Sequence, residues 1–156
     1  MVKNNLNTLE KKLKYKFQNQ QLLLKAITHK TYAFEAKIPV EYNERLEFLG
    51  DSILNFIISE KLYKINKYFS EGELTRHRSM YVNNVLLAEI AKKIGIGKYL
   101  LLGKGETLQK GNLNPTNLAN CLESIIGAIY LDSTLENTRD FILNNLLKNK
   151  IEDWKY

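Results

Sequence analysis

Cysteine is almost missing from this chain of 156 residues: Cys121 stands alone, which excludes an internal disulfide and a cysteine-rich zinc site. Set in "LANCLES", that thiol reads as core packing rather than as a nucleophile, because free cysteine is commonly buried. Histidine is nearly as scarce. His29 and His77 are too few for a helical phosphohydrolase built on clustered histidines, and neither stands at a telling spacing from a serine or cysteine. A hydrolytic triad therefore has little support. No apolar run reaches the length of a membrane span. The opening "MVKNNLNTLEKKLKYKF" has neither the apolar stretch nor the small-residue cleavage site of a secretory leader, so a cytoplasmic address is expected. Strict alternation of apolar and polar residues is also missing, so strands are not expected.

Helical periodicity is what the chain has in quantity. Leu6, Leu9 and Leu13 recur at helical spacing, "NQQLLLKAITHKTY" forms a second amphipathic run, and residues 43 to about 66 a long third one. Ser70 followed by Glu73 is a capping-box pattern. Asn83 or Asn84 opens the next helix and Gly95 closes it. "IGIGKYLLLGKGETLQKGNLNPT" holds five of the eight glycines and reads as a basic loop able to touch a ligand. Two further helices are expected near 117–132 and 134–148. The fold class is all-α, in a single domain covering 1–156.

The net charge of +6 is unevenly spread. Residues 1–30 hold seven lysines against Glu10, whereas residues 35–60 hold six acids against Lys37 and Arg45. A basic body around an acidic patch favours a polyanion, by release of its counterions.

The acidic patch centres on "YNERLEFLGDSIL". With about 100° of turn per residue, Glu44, Glu47 and Asp51 share one face. Leu46, Leu49, Ile53, Phe56 and Ile57 are expected to supply the core on the opposite side, with Phe48 and Leu54 flanking the acids. A second acid stands in "TNLANCLESIIGAIYLDS", where Glu123 is the only formal charge between Thr116 and Leu131. A helix apolar on all sides is buried, so Glu123 needs a cation, a set of hydrogen bonds or a raised pKa. A buried ion pair with a lysine or arginine would satisfy it. So would a metal, if Glu47 and Asp51 face it. Asn120 lies one turn earlier on the same face, and Gly127 would let another helix come close. Hard oxygen ligands without histidine or cysteine suit magnesium or manganese, and magnesium takes further ligands from phosphate. His29 reads as a structural histidine, and His77, between Arg76 and Arg78, as a surface contact for phosphate.

Taken in order, "FQNQQLLLKAITHKTY", "NERLEFLGDSIL", "SEGELTRHRSMYVN", "LGKGE" and "LANCLESIIGAIYLDS" resemble the motifs of the ribonuclease III endonuclease domain over about residues 8–148. The resemblance implies a homodimer that cuts double-stranded RNA with magnesium or manganese. Its products would carry 5′-phosphate and 3′-hydroxyl ends and a short 3′ overhang. Carried over by motif, Glu47, Asp51, Asn120 and Glu123 are metal ligands, and Asp51 and Glu123 are the catalytic pair. Glu44 and Glu71 support the site or face RNA, and Phe48 plugs into the partner subunit. Arg76, Arg78, Lys104 and Lys110 are the candidate RNA contacts. Three departures stand out. Asn120 occupies a position where the family most often has aspartate, the loop "TLQKGNLNPT" lacks the usual paired glycines, and the chain ends at "IEDWKY", about where the family's double-stranded-RNA-binding domain would join. An alternative class is a non-catalytic RNA-binding dimer or scaffold, weakened in metal binding by Asn120.

Overall fold

The computed structural model describes residues 2–147, and among these no β-strand forms. Its α-helices are α1 (Val2–Leu13), α2 (Gln20–Ala26), α3 (Lys30–Glu35), α4 (Glu44–Ile65), α5 (Glu71–Tyr81), α6 (Asn84–Ile94), α7 (Lys104–Leu108), α8 (Pro115–Asp132) and α9 (Leu135–Asp140). A π-helical stretch, Phe141–Leu146, continues α9. Residue 148 of the expected last helix, and the "IEDWKY" end, lie outside the described residues.

Local chemistry accounts for most boundaries. The Ser70 N–H donates to Glu73 Oε2 at 2.8 Å and the Glu73 N–H donates to Ser70 Oγ at 3.4 Å, so the capping box that opens α5 is present. Asn83 Oδ1 accepts from the Leu86 N–H at 2.9 Å to start α6, and Gly95 ends it in the left-handed region at φ 82°. Pro115 starts α8 behind an Asn114 cap.

Three expectations need correction. "NQQLLLKAITHKTY" is two helices, because Thr28 pairs with Leu101 in an isolated bridge: the Leu101 N–H donates to Ile27 O at 2.9 Å and the His29 N–H to Leu101 O at 3.0 Å. The basic loop is partly helical, with 3-10 turns at Ile96–Lys98 and Gly111–Leu113 around α7. It is pinned from outside: the Gly103 N–H donates to Thr31 Oγ1 and the Lys104 N–H to the Glu35 carboxylate. The third concerns α4. Its buried face is Leu46, Gly50, Ile53, Leu54, Ile57, Ile58 and Leu62, while Phe56 is half exposed. That face is rotated towards the acids, so Leu54 and Ile58, each seven residues on, lie in line with Glu47 and Asp51. A helix apolar on nearly every side carries little periodic signal to reveal which flank goes inward.

The centre of the molecule is α8, buried from Leu118 to Ile129 except at Asn120, with α4, α6 and α2 packed around it. Its crossing with α4 is backbone against backbone. A Cβ added at Gly50 would sit 1.8 Å from the Glu123 carbonyl oxygen, and one at Gly127 would sit 2.4 Å from that of Leu46. Neither neighbour is a side chain that can turn away. Gly127→Ala is therefore expected to destabilise the fold by about 3 kcal/mol, the upper range for overpacking, as a fall in the urea midpoint. An unchanged midpoint would mean that the two helices separate freely.

Candidate functional site

The crossing brings the first turns of α4 against the first half of α8. The Ser124 hydroxyl, fully buried, lies 3.2 Å from Asn43 O and 2.8 Å from Asn120 O, tying the start of α4 to the middle of α8. In this register Glu47 and Asp51 from α4 meet Asn120 and Glu123 from α8. Glu47 is half-buried and hydrogen-bonded by the Asn120 side chain. Asp51 is exposed and accepts from Asn55 Nδ2 at 2.8 Å. Glu123 is only 6% exposed.

Burial pushes the Glu123 carboxyl up to about 7, and the charges of Asp51 and Glu47 add to the effect. Glu47 is also held above its ordinary value by burial, then by Glu44; the Asn120 hydrogen bond and the charge of Lys30 act in the opposite direction. Among the described residues no lysine, arginine or histidine forms an ion pair with Glu47, Asp51 or Glu123. The buried ion pair open to Glu123 in the sequence is thus not formed. Its electrostatic neighbours are two more carboxylates.

An uncompensated buried carboxylate beside two others is a donor set that fits a divalent cation of the magnesium type. As the side chains stand, no group of three His, Cys, Asp or Glu residues among those described closes into a cage.

The remaining sequence-predicted residues surround this cluster unevenly. Glu44 accepts an ion pair from Lys30 Nζ at 2.9 Å. Glu71 opens α5 and accepts from Thr75 Oγ1; it lines a cleft of about 450 Å³ with Phe56, Tyr63 and Arg78, and is not among the groups acting on Glu47 or Glu123. Arg78 Nη1 donates to Ser59 Oγ at 3.2 Å, fastening α5 to α4, whereas Arg76 is exposed. Lys104 and Lys110 are exposed on the pinned segment around α7. Phe48 is 78% exposed. The His29 ring caps α3, taking the Thr31 N–H on Nδ1, and burial lowers its pKa. His77 stacks on Phe69 with ring centroids 4.7 Å apart. Cys121 is fully buried against Ala26 O, with its thiol pKa pushed up, which suits packing. Sequence reasoning missed Lys30 and Ser124. The hydroxyl one residue beyond Glu123 in an apolar helix was the available signal for Ser124; nothing local marked Lys30.

A family model described as ribonuclease-III-like matches residues 19–150. The chain is similar to ribonuclease 3 of Clostridium kluyveri, 47% identical over 142 residues that cover 91% of this chain and 58% of that protein. Ribonuclease 3 of Carboxydothermus hydrogenoformans is 48% identical over 143 residues, with 91% and 61% covered. The chain thus spans about three fifths of the length of these relatives. Among solved structures, the nuclease domain of ribonuclease III from Campylobacter jejuni superposes with a TM-score of 0.84 at 36% identity, covering 92% of this chain and 96% of that one; that work describes structural flexibility in a region involved in dimer formation.

The folded chain holds the Glu123 proton more tightly than the unfolded one, so this group removes stability as pH rises from 4.5 towards about 7. In chelator at pH 8, Glu123→Gln is expected to raise the urea midpoint, by about 1–3 kcal/mol in stability. Added magnesium should then stabilise the parent and leave the variant unmoved. Equal midpoints in chelator together with equal responses to magnesium would sink this account of the cluster.

Proposed function

This chain belongs to the ribonuclease III family, and on that premise we propose that it is a cytoplasmic, divalent-metal-dependent endoribonuclease acting on double-stranded RNA. Its products carry 5′-phosphate and 3′-hydroxyl ends with a short 3′ overhang. The observation that carries the reading is Glu123, a buried carboxylate that pairs with no lysine, arginine or histidine among the described residues and faces Asp51 and Glu47 across the α4–α8 crossing.

Glu47, Asp51, Asn120 and Glu123 would hold magnesium, or manganese in its place. When bound, the metal supplies a Lewis acid for a phosphate oxygen and a means of activating water at neutral pH. The chain's own residues do the rest. Asp51 and Glu123, one exposed and one buried, set the catalytic position between solvent and core. Glu44 and Glu71 stand on the RNA-facing side as supporting acids. Arg76, Arg78, Lys104 and Lys110 supply contacts to the phosphate backbone; A-form duplexes are recognised largely by shape and 2′-hydroxyl contacts, so sequence preference is weak.

The protein works as a homodimer. Phe48, 78% exposed on α4, is the apolar side chain that a second copy covers, inserted into the partner. The scaffold alternative draws on Asn120, whose amide carries no charge. Glu123 weighs against it, because a protein without metal chemistry has no use for a buried acid that destabilises it.

Cleavage of a long RNA duplex at low salt tests the reading. With magnesium or manganese, both strands are expected to be cut with staggered ends. Chelator should stop the reaction, and Glu123→Gln should lower turnover by at least about 100-fold while leaving the dimer intact. Undiminished turnover in that variant would refute the assignment. Asn120→Asp is expected to lower the magnesium concentration needed for half-maximal activity; no change would remove Asn120 from the ligands.

A further inference from the structure

We propose that Lys30 is a substrate-binding residue, whose ammonium, held at the rim of the carboxylate cluster by Glu44, takes a backbone phosphate of the RNA duplex. The identity of the polyanion rests on the nuclease reading above; the placement of the cation does not.

A duplex approaching this site meets the acids of Glu44, Glu47 and Asp51, with Glu123 buried behind them. Counterions can be supplied by the solvent, but a fixed cation at the mouth of the site also orients the strand. Lys30 is such a cation. Its Nζ lies 2.9 Å from Glu44 Oε1, with the two side chains 48% and 47% exposed. Its charge also reaches Glu47, whereas only carboxylates act on Glu123. None of the other basic candidates is among the charges acting on Glu47 or Glu123: Lys104 and Lys110 stand on the segment around α7 that Thr31 and Glu35 pin to α3, Arg76 is exposed on α5, and Arg78 donates to Ser59.

Stability does not account for the Lys30–Glu44 pair, since an exposed ion pair contributes little to a fold. Its value lies in placement. An ammonium has three donors, and the pair with Glu44 leaves others for a ligand. A lysine binds phosphate as a point charge on a flexible stem, and much of the entropy of fixing that stem is already lost to Glu44. The base of the side chain is rigid as well. Thr28 is fully buried, the His29 N–H donates to Leu101 O at 3.0 Å, and His29 caps the helix that Lys30 begins. A charged group mounted on a pinned backbone and steered by an acid is a preorganised contact.

Lys30→Gln and Lys30→Arg test this with two readouts. Duplex binding is measured by filter retention in chelator over a range of salt, and steady-state cleavage in magnesium. The expected result for Lys30→Gln is roughly 3- to 10-fold weaker binding, with the slope of log affinity against log salt reduced by about one. KM should rise while kcat stays within about twofold, and Lys30→Arg should stay close to the parent in both assays. Thermal melting should be unchanged, as the pair is exposed. An unchanged salt slope overturns the proposal, and so does a fall in kcat at constant KM, which would place Lys30 in the metal site instead. A parent that binds duplex without cutting it overturns the nuclease reading alone, and the slope still decides for or against Lys30. A parent that binds no duplex overturns both.

Discussion

Where two helix backbones touch, no side chain can stand between them, and α4 and α8 meet in this way at Gly50 and Gly127. The contact does more than save space. It brings Glu47 and Asp51 on one helix to Asn120 and Glu123 on the other, and the Ser124 hydroxyl fixes the register from the far side. Side chains of ordinary size at either glycine would push the helices apart and leave the acids as separate, solvated groups. The glycines thus set the electrostatics of the site without taking part in its chemistry.

That geometry has a thermodynamic cost. Acids gathered at the edge of a core raise one another's affinity for protons, and the most buried of them, Glu123, carries the largest effect. A cation that bound the folded chain and not the unfolded one would repay this through linkage. Asn120 moderates the balance. Its amide favours the ionised form of Glu47 without adding a fourth charge close to Glu123. An uncharged amide at this position makes the cluster easier to hold together than a further carboxylate would.

Much of this was readable from residues alone, for physical reasons. Glu123 stood out because a single charge in an otherwise apolar helix cannot be an ordinary surface group, and Gly127 because a glycine on that same face permits close approach. The caps of α5 and α6 were legible because they are local hydrogen bonds between residues three apart. What could not be read depends on distant partners. The break between α2 and α3 follows from Leu101, far along the chain, and the pinned segment around α7 follows from Thr31 and Glu35. The inward face of α4 was misjudged at Phe56 and Leu54 because apolar residues on several sides leave the choice to α8. The pairing of Lys30 with Glu44 was invisible, since only the fold brings the two together.

The two halves of the cluster are separated in the chain by α5, α6 and α7, so no local segment contains the whole of it. During synthesis the residues up to the end of α7 can emerge and condense while the acids of α4 remain unpaired by anything on α8. Only after α8 has left the ribosome can it insert as the central helix and assemble the carboxylates. The order of translation itself thus delays the cluster: its carboxylates come together only once α8 is free to pack against α4.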